Sequence, residues 1–219
     1  MDFEQARRNM IESQIRTWEV LDDRILQALD RVPRHEFVPA DAIDWAYIDY
    51  QVPLGIGEYM LSPTVEARLI QALRLEPDDK VLEVGTGSGY VTALLAKLAG
   101  EVWSVDVTPG FKVEAEQRLA RMGYDNVRVE VGDGSHGWER QAPYDAILVT
   151  GAMPELPEAF KEQLNEGGRL VCILDGQPPV QEAMRITRLG ADAFREDSLF
   201  EVEAVPHLRG VEKKKEFVF

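Results

Sequence analysis

Three glycines at alternate positions, Gly85, Gly87 and Gly89, sit in the stretch "VLEVGTGSGY". An apolar run precedes them and a helix-forming run follows. Glycines placed this way let a strand turn tightly into a helix and let the backbone lie against a ligand. A dinucleotide fingerprint, G-x-G-x-x-G, would need a glycine where Tyr90 stands, and the phosphate loop G-x-x-x-x-G-K-[ST] is absent. Alone, the glycine run is a weak signal, and a structural turn is the less favoured alternative. Glu83, two residues upstream, and two acids further on give it chemical content. Asp106 closes "EVWSVD", where an acid can accept both hydroxyls of a ribose. Asp133, in "VGDG", could accept from an adenine amino group. Taken singly, each acid reads equally well as a solvated turn residue. With the loop they favour a ligand that carries ribose and adenine but no pyrophosphate.

Other chemistry is sparse. His35, His136 and His207 have no metal-ligand spacing and read as surface or structural residues, and no catalytic triad or metal cluster is evident. Cys172, the single cysteine, falls in an apolar run and reads as core; it allows no internal disulfide, so a reducing cytoplasm fits best. No apolar run approaches the ~20 residues of a membrane span, and the first residues are too polar for a secretory signal. The formal net charge of −15 opposes phosphate backbones, so no nucleic-acid partner and no membrane partner are expected. The short run Lys213 to Lys215 reads as a solvated tail.

The elements that would position the glycines and acids follow from pattern. "KVLEV", "EVWSVDV", "NVRVEVGDG", "YDAILVTGA" and "RLVCIL" are strands, and "GYVTALLAKLAG", "GFKVEAEQRLARMG" and "LPEAFKEQLNEGG" are helices between them. This alternation implies an α/β fold, Rossmann-like, with a mostly parallel sheet covered on both faces. "EAMRITRL" and "LFEVEAVPHL" would add an antiparallel edge hairpin. The first forty residues read as helices: Ile25, Leu26, Leu29 and Val32 share a face, and Pro33 stops the helix. "SPTVEARLIQAL" begins another helix, with Ser62 as N-cap, Pro63 in the first turn, Glu66 near the start, and Val65, Leu69, Ile70 and Leu73 as its buried stripe. There is no repeat, low-complexity tract or linker. The 219 residues suit one domain: an N-terminal helical cap (1–57), a lid loop and helix (58–79), a ligand-binding α/β core (80–176), and an edge hairpin with tail (177–219).

"VLEVGTGSGY", "VGDGSHGW", "APYDAILVTGA" and "LNEGGRLV" resemble the motifs of class I S-adenosylmethionine methyltransferases. With "RVPRHEFVP", "AYIDYQVPLGIG" and "SPTVEARLIQAL" they more narrowly resemble the protein-L-isoaspartate O-methyltransferases, over about Arg8 to His207. The resemblance implies S-adenosyl-L-methionine as cofactor and a damaged protein or peptide carboxylate as substrate. It implies that Glu83 and the turn Gly85, Thr86, Gly87 and Gly89 hold the methionine end. Asp106 would hold the ribose, and Asp133 with Gly134 the adenine. It leaves the oligomeric state open.

One stretch departs from that family. The family loop runs Gly-Gln-Thr-Ile-Ser-x-Pro, with its serine beside the transferring methyl. Here "GIGEYMLSP" places Glu58 at the glutamine, Tyr59 at the threonine and Leu61 at the serine, and Ser62 falls one residue late as a candidate catalytic hydroxyl. Tyr59, Met60 and Leu61 would line a lid over the methyl-transfer site; the alternative is that they pack on the N-terminal helices. After the fourth strand, "VTGAMPE" offers the small residues Thr150, Gly151 and Ala152 and lacks the Asn/Asp-Pro-Pro-aromatic motif of nucleobase methylation, which favours oxygen methylation. Two other readings stay open: the same fold acting on a small-molecule acceptor, or a module that binds the cofactor without turnover.

Overall fold

The computed structural model describes residues 2–177 and 180–211. The Lys213–Lys215 run lies outside them. The chain begins with α1 (Phe3–Met10), which runs on through a π-helical turn, Ile11–Ile15, into a 3₁₀ turn, and α2 (Asp23–Arg31) follows. Asp22 caps α2 by accepting from the Arg24 backbone N–H at 2.8 Å. Ile25, Leu26, Leu29 and Val32 are all buried, and the helix ends before Pro33.

The expected lid loop is a small hairpin, β1 (Val52–Gly55) and β2 (Glu58–Met60), paired antiparallel with Val52 opposite Met60. Next comes α3 (Pro63–Leu73). Ser62 stands at its N-cap position, but its side chain caps nothing. Asp49 does that work instead, accepting from the Thr64 N–H at 3.2 Å and the Thr64 hydroxyl at 2.7 Å. In α3, Leu69, Ile70 and Leu73 are buried and Val65 partly so.

The core alternates β3 (Lys80–Val84), α4 (Tyr90–Leu98), β4 (Glu101–Asp106), α5 (Pro109–Arg121), β5 (Val127–Val131), β6 (Tyr144–Met153), α6 (Glu158–Glu162) and β7 (Leu164–Asp175). Then β8 (Gln181–Arg188) and β9 (Phe194–Val202) form the edge hairpin. The seven strands lie in the order β5-β4-β3-β6-β7-β8-β9. All pairs from β5 to β7 are parallel, and β8 and β9 are antiparallel. The chain winds outward from β3 to β5 and then returns to the other side of β3 as β6. That reversal opens a crevice at the carboxyl ends of β3, β4 and β6, where open α/β sheets take their ligands.

Alternate strand residues serve the two faces. Val81, Val102, Val129 and Ala146 pack with α3, α4, α5 and the N-terminal cap in one apolar cluster. Leu82, Val84, Val105, Ile147 and Cys172 pack with Phe160 of α6 in the other. Three expectations need correcting. The helix expected to run to Gly168 is five residues long, because Leu164 already pairs with Tyr144 across a bulge in β7. Gly167, at φ +79°, supplies the left-handed step of that bulge. The last strand starts at Phe194, before the expected Leu199, and ends at Val202. Beyond it the chain leaves the sheet and crosses back to β6, where Ala152 donates to Pro206 O at 3.0 Å and accepts from Leu208 N at 2.8 Å. We call residues 206–210 the strap.

Candidate functional site

A cleft lies at the switch point, where open α/β sheets take their ligands. Its floor is the end of β3 with Gly85 and Gly87, its walls are the ends of β4 and β6, and its roof is the hairpin and the strap. A smaller chamber continues inward between Leu61, Glu66, Thr86 and Ser88.

Gly85 has φ +100°, and a Cβ there would stand 2.2 Å from the Thr150 Oγ1. No other residue fits. The Thr150 hydroxyl donates to Val84 O (3.0 Å) and Gly85 O (2.8 Å), so it ties the turn to β6, and the residue lines the cleft beside Gly151. Gly89 stands at the N-cap of α4, so the turn's backbone lies against the start of that helix. Asp106 is buried at the end of β4. Its Oδ2 accepts from Gly87 N at 2.9 Å and its Oδ1 from Thr108 N at 2.8 Å. Each carboxylate oxygen has a second lone pair free for a ligand hydroxyl. Val107 and Phe111, which sequence reasoning missed, add apolar wall beside it.

Gly134 lines the cleft together with Gly132, and a Cβ on Gly134 would meet Val84 Cγ1 at 2.8 Å. Asp133 stands just behind. Hydrogen bonds from the Ser135 hydroxyl and backbone hold its carboxyl below the usual carboxylate range, so it is an ionised acceptor near neutral pH. Gly210 of the strap lies directly over it.

Glu83 is placed elsewhere. It is fully buried beneath the turn, and its Oε2 accepts from the hydroxyls of Thr92 (2.5 Å) and Ser104 (2.6 Å). Ser104 in turn lies 2.6 Å from the Thr86 hydroxyl. Burial pushes the Glu83 carboxyl up to about 8, and its Oε1 has no partner. It lines neither chamber, and its reach to the turn runs through Ser104 and Thr86.

In the lid, Tyr59 and Leu61 line the cleft, together with Leu54, which sequence reasoning missed. Met60 and Leu61 also belong to the core shared with the N-terminal cap. Leu61 is fixed by its backbone: Arg34 Nη2 donates to its carbonyl at 2.7 Å. The fully buried Arg34 also grips Glu66 through two bonds (3.1 and 3.2 Å) and donates to Ala46 O at 3.0 Å. Burial outweighs that guanidinium and lifts Glu66 to about 7. Ser62 lines neither chamber; its hydroxyl lies 3.4 Å from that of Thr64. His207, expected to be peripheral, lines the cleft with its Nε2 2.8 Å from Asp175 Oδ1. His35 pairs with Tyr47 and His136 with Ser135. Among the described residues no group of His, Cys, Asp and Glu is placed to hold a metal.

The glycine turn at the switch point, with Asp106 at the next strand end and Asp133 behind Gly134, gives the fold and site of an S-adenosylmethionine-dependent methyltransferase. The sequence profile described as Protein-L-isoaspartate(D-aspartate) O-methyltransferase matches residues 5–212. A protein-L-isoaspartate O-methyltransferase of Syntrophus aciditrophicus is 43% identical over 190 residues, 87% of each chain. One of Roseiflexus castenholzii is 41% identical over 210 residues, 96% of this chain and 95% of that one. The chain belongs to the protein-L-isoaspartate(D-aspartate) O-methyltransferase family. A solved structure of a protein-L-isoaspartate O-methyltransferase superposes with TM-score 0.79 at 26% identity, over 91% of this chain and 65% of that one. A putative family member from Plasmodium falciparum, solved with S-adenosyl-L-homocysteine, shares the fold with TM-score 0.77 at 22% identity, over 95% of this chain and 99% of that one. No described helix is long and apolar enough to cross a membrane.

Proposed function

We propose that this protein transfers a methyl group from S-adenosylmethionine to the free carboxylate of isoaspartyl residues in damaged proteins or peptides. The observation that carries the reading is one cleft in which the glycine turn and Asp106 meet the lid hairpin, in a chain of this family. The cofactor, when bound, supplies a methyl already activated by a sulfonium charge. An acceptor carboxylate, with an ordinary pKa near ~4, is ionised at pH 7 and needs no general base. The chain's work is then alignment and exclusion of water. Asp106 would take the ribose and Asp133 with Gly134 the adenine. The turn from Gly85 to Gly89, held by Thr150 and supported from below by Glu83 through Ser104 and Thr86, would seat the methionine end. Leu54, Tyr59 and Leu61 would cover the transfer point, with Arg34 fixing the Leu61 backbone.

The same reading treats residues 1–219 as one functional unit, with no nucleic-acid partner on account of the −15 charge. It places the protein in the cytoplasm, in keeping with a single, buried cysteine. A second reading, a different and smaller acceptor, is favoured by Leu61, an alkyl group lining the cleft where the family carries a hydroxyl. Methyl transfer from labelled S-adenosylmethionine to an isoaspartyl peptide and to its normal aspartyl twin separates the two. Selective labelling of the isoaspartyl peptide is expected. Labelling of neither, with cofactor binding demonstrated in the same sample, would overturn the isoaspartyl acceptor and leave a smaller acceptor or cofactor binding without turnover.

A further inference from the structure

One ion pair at the cleft joins parts of the chain far apart in sequence. Arg209 Nε, on the strap, lies 2.7 Å from Glu58 Oε1 on β2 of the hairpin. Its Nη2 donates to Ile56 O, at the hairpin tip, at 3.2 Å. Glu58 and Arg209 both line the cleft, so the pair bridges its roof from the acceptor-side lid to the segment over Asp133.

The two partners are anchored separately. The hairpin is held at its base, where Arg34 binds the Leu61 carbonyl. The strap is held at Ala152 and, through His207, at Asp175. Among the described residues, the hydrogen bonds and ion pairs between residues 52–60 and 206–210 all come from Arg209. Glu58 is also one of the lid's departures, standing where the related loop has glutamine. A glutamine could still accept a hydrogen bond from Arg209; only the carboxylate adds charge.

We propose that Glu58 and Arg209 form a clasp that keeps the lid hairpin against the strap and sets how fast the demethylated cofactor product leaves. The proposal rests on the reading of the cleft as the cofactor site. Neither residue takes part in methyl transfer; both act by positioning the roof.

The measurement is the dissociation rate of labelled S-adenosylhomocysteine from the full chain, by rapid filtration after dilution into excess unlabelled ligand. Partly exposed ion pairs are modest, so E58Q and R209M should each release the ligand about two- to fivefold faster. Salt near 1 M, where the screening length is about 3 Å, should speed release from the unmutated protein and leave E58Q nearly unaffected. The exchange E58R/R209E should bring the rate back toward the original, which a purely packing role for either side chain would not do. Unchanged rates in both single variants, or fast release that the exchange fails to slow, would overturn the clasp. Absence of binding by the unmutated protein would remove the cofactor site and the clasp with it; binding with unaltered rates removes the clasp alone.

Discussion

Asp106 spends one lone pair of each carboxylate oxygen on the protein, on Gly87 N–H and Thr108 N–H. The same carboxylate therefore shapes the turn and lines the cleft. Two charge-assisted hydrogen bonds to ribose hydroxyls, at roughly 1.5–3 kcal/mol each, make Asp106→Ala a loss of about 100-fold or more in S-adenosylmethionine affinity. Calorimetric titration would show it, and undiminished affinity would refute the ribose role. The position of Asp106 in the cleft was legible in the sequence because it is local: an acid at a strand end, in the strand after a glycine turn. Glu83 lies beneath the turn and does not line the cleft, and the signal for that was present in the sequence. Side chains alternate along β3, so Glu83 shares the face of Val81, toward α4, while Val84 faces the cleft. Adjacency to the glycines outweighed that periodicity in the sequence reading. Leu61 lines the cleft, but the Arg34 bond that fixes its backbone spans 27 residues and has no local signature.

The βα alternation of the core was readable because each strand and helix carries its own period and its own glycine or proline stop. The segments that roof the cleft were harder, because their conformation is set by partners elsewhere. The hairpin turns through Gly55, Ile56 and Gly57, all at positive φ, and Ile56 is a β-branched residue at φ +50° with its side chain largely in solvent. A left-handed conformation costs an L-residue roughly 1–2 kcal/mol, and asparagine tolerates it far better. Ile56→Asn should therefore stabilise the protein by about 0.5–1 kcal/mol, read as a higher denaturant midpoint at unchanged slope. A lower midpoint would show that the isoleucine side chain contributes more than its backbone costs. The strap was not legible at all. "AVPHL" reads as the end of a strand, yet it leaves the sheet because Ala152 offers free backbone groups at the end of β6. The proline at 206 could have signalled the exit, since it cannot donate to a ladder.

Two carboxyls buried in the body of this acidic protein couple its stability to pH. Burial raises Glu83 from 4.5 to about 8 and Glu66 from 4.5 to about 7. Both bind their protons more tightly folded than unfolded, so between about pH 4.5 and 8 the folded state holds more protons. The stability they contribute is full below about pH 4.5 and is lost as pH rises through 7 and 8. Raw melting curves also contain the self-repulsion of a chain with formal charge −15, which eases on acidification in the same direction. Comparison with Glu83→Gln removes that shared background. The amide keeps an oxygen for Thr92 and Ser104 and never ionises. Its melting temperature relative to the unmutated protein should therefore rise steadily from pH 5 to pH 8, reaching a gain on the order of several °C, at about 2–4 °C per kcal/mol for a chain of this size. A difference constant across that range would mean that Glu83 titrates normally in the folded state. The variant also bears on catalysis: with Glu83 beneath the turn and outside the cleft, Glu83→Gln should retain cofactor binding at pH 7, and a loss of binding would show that the side chain reaches the methionine end.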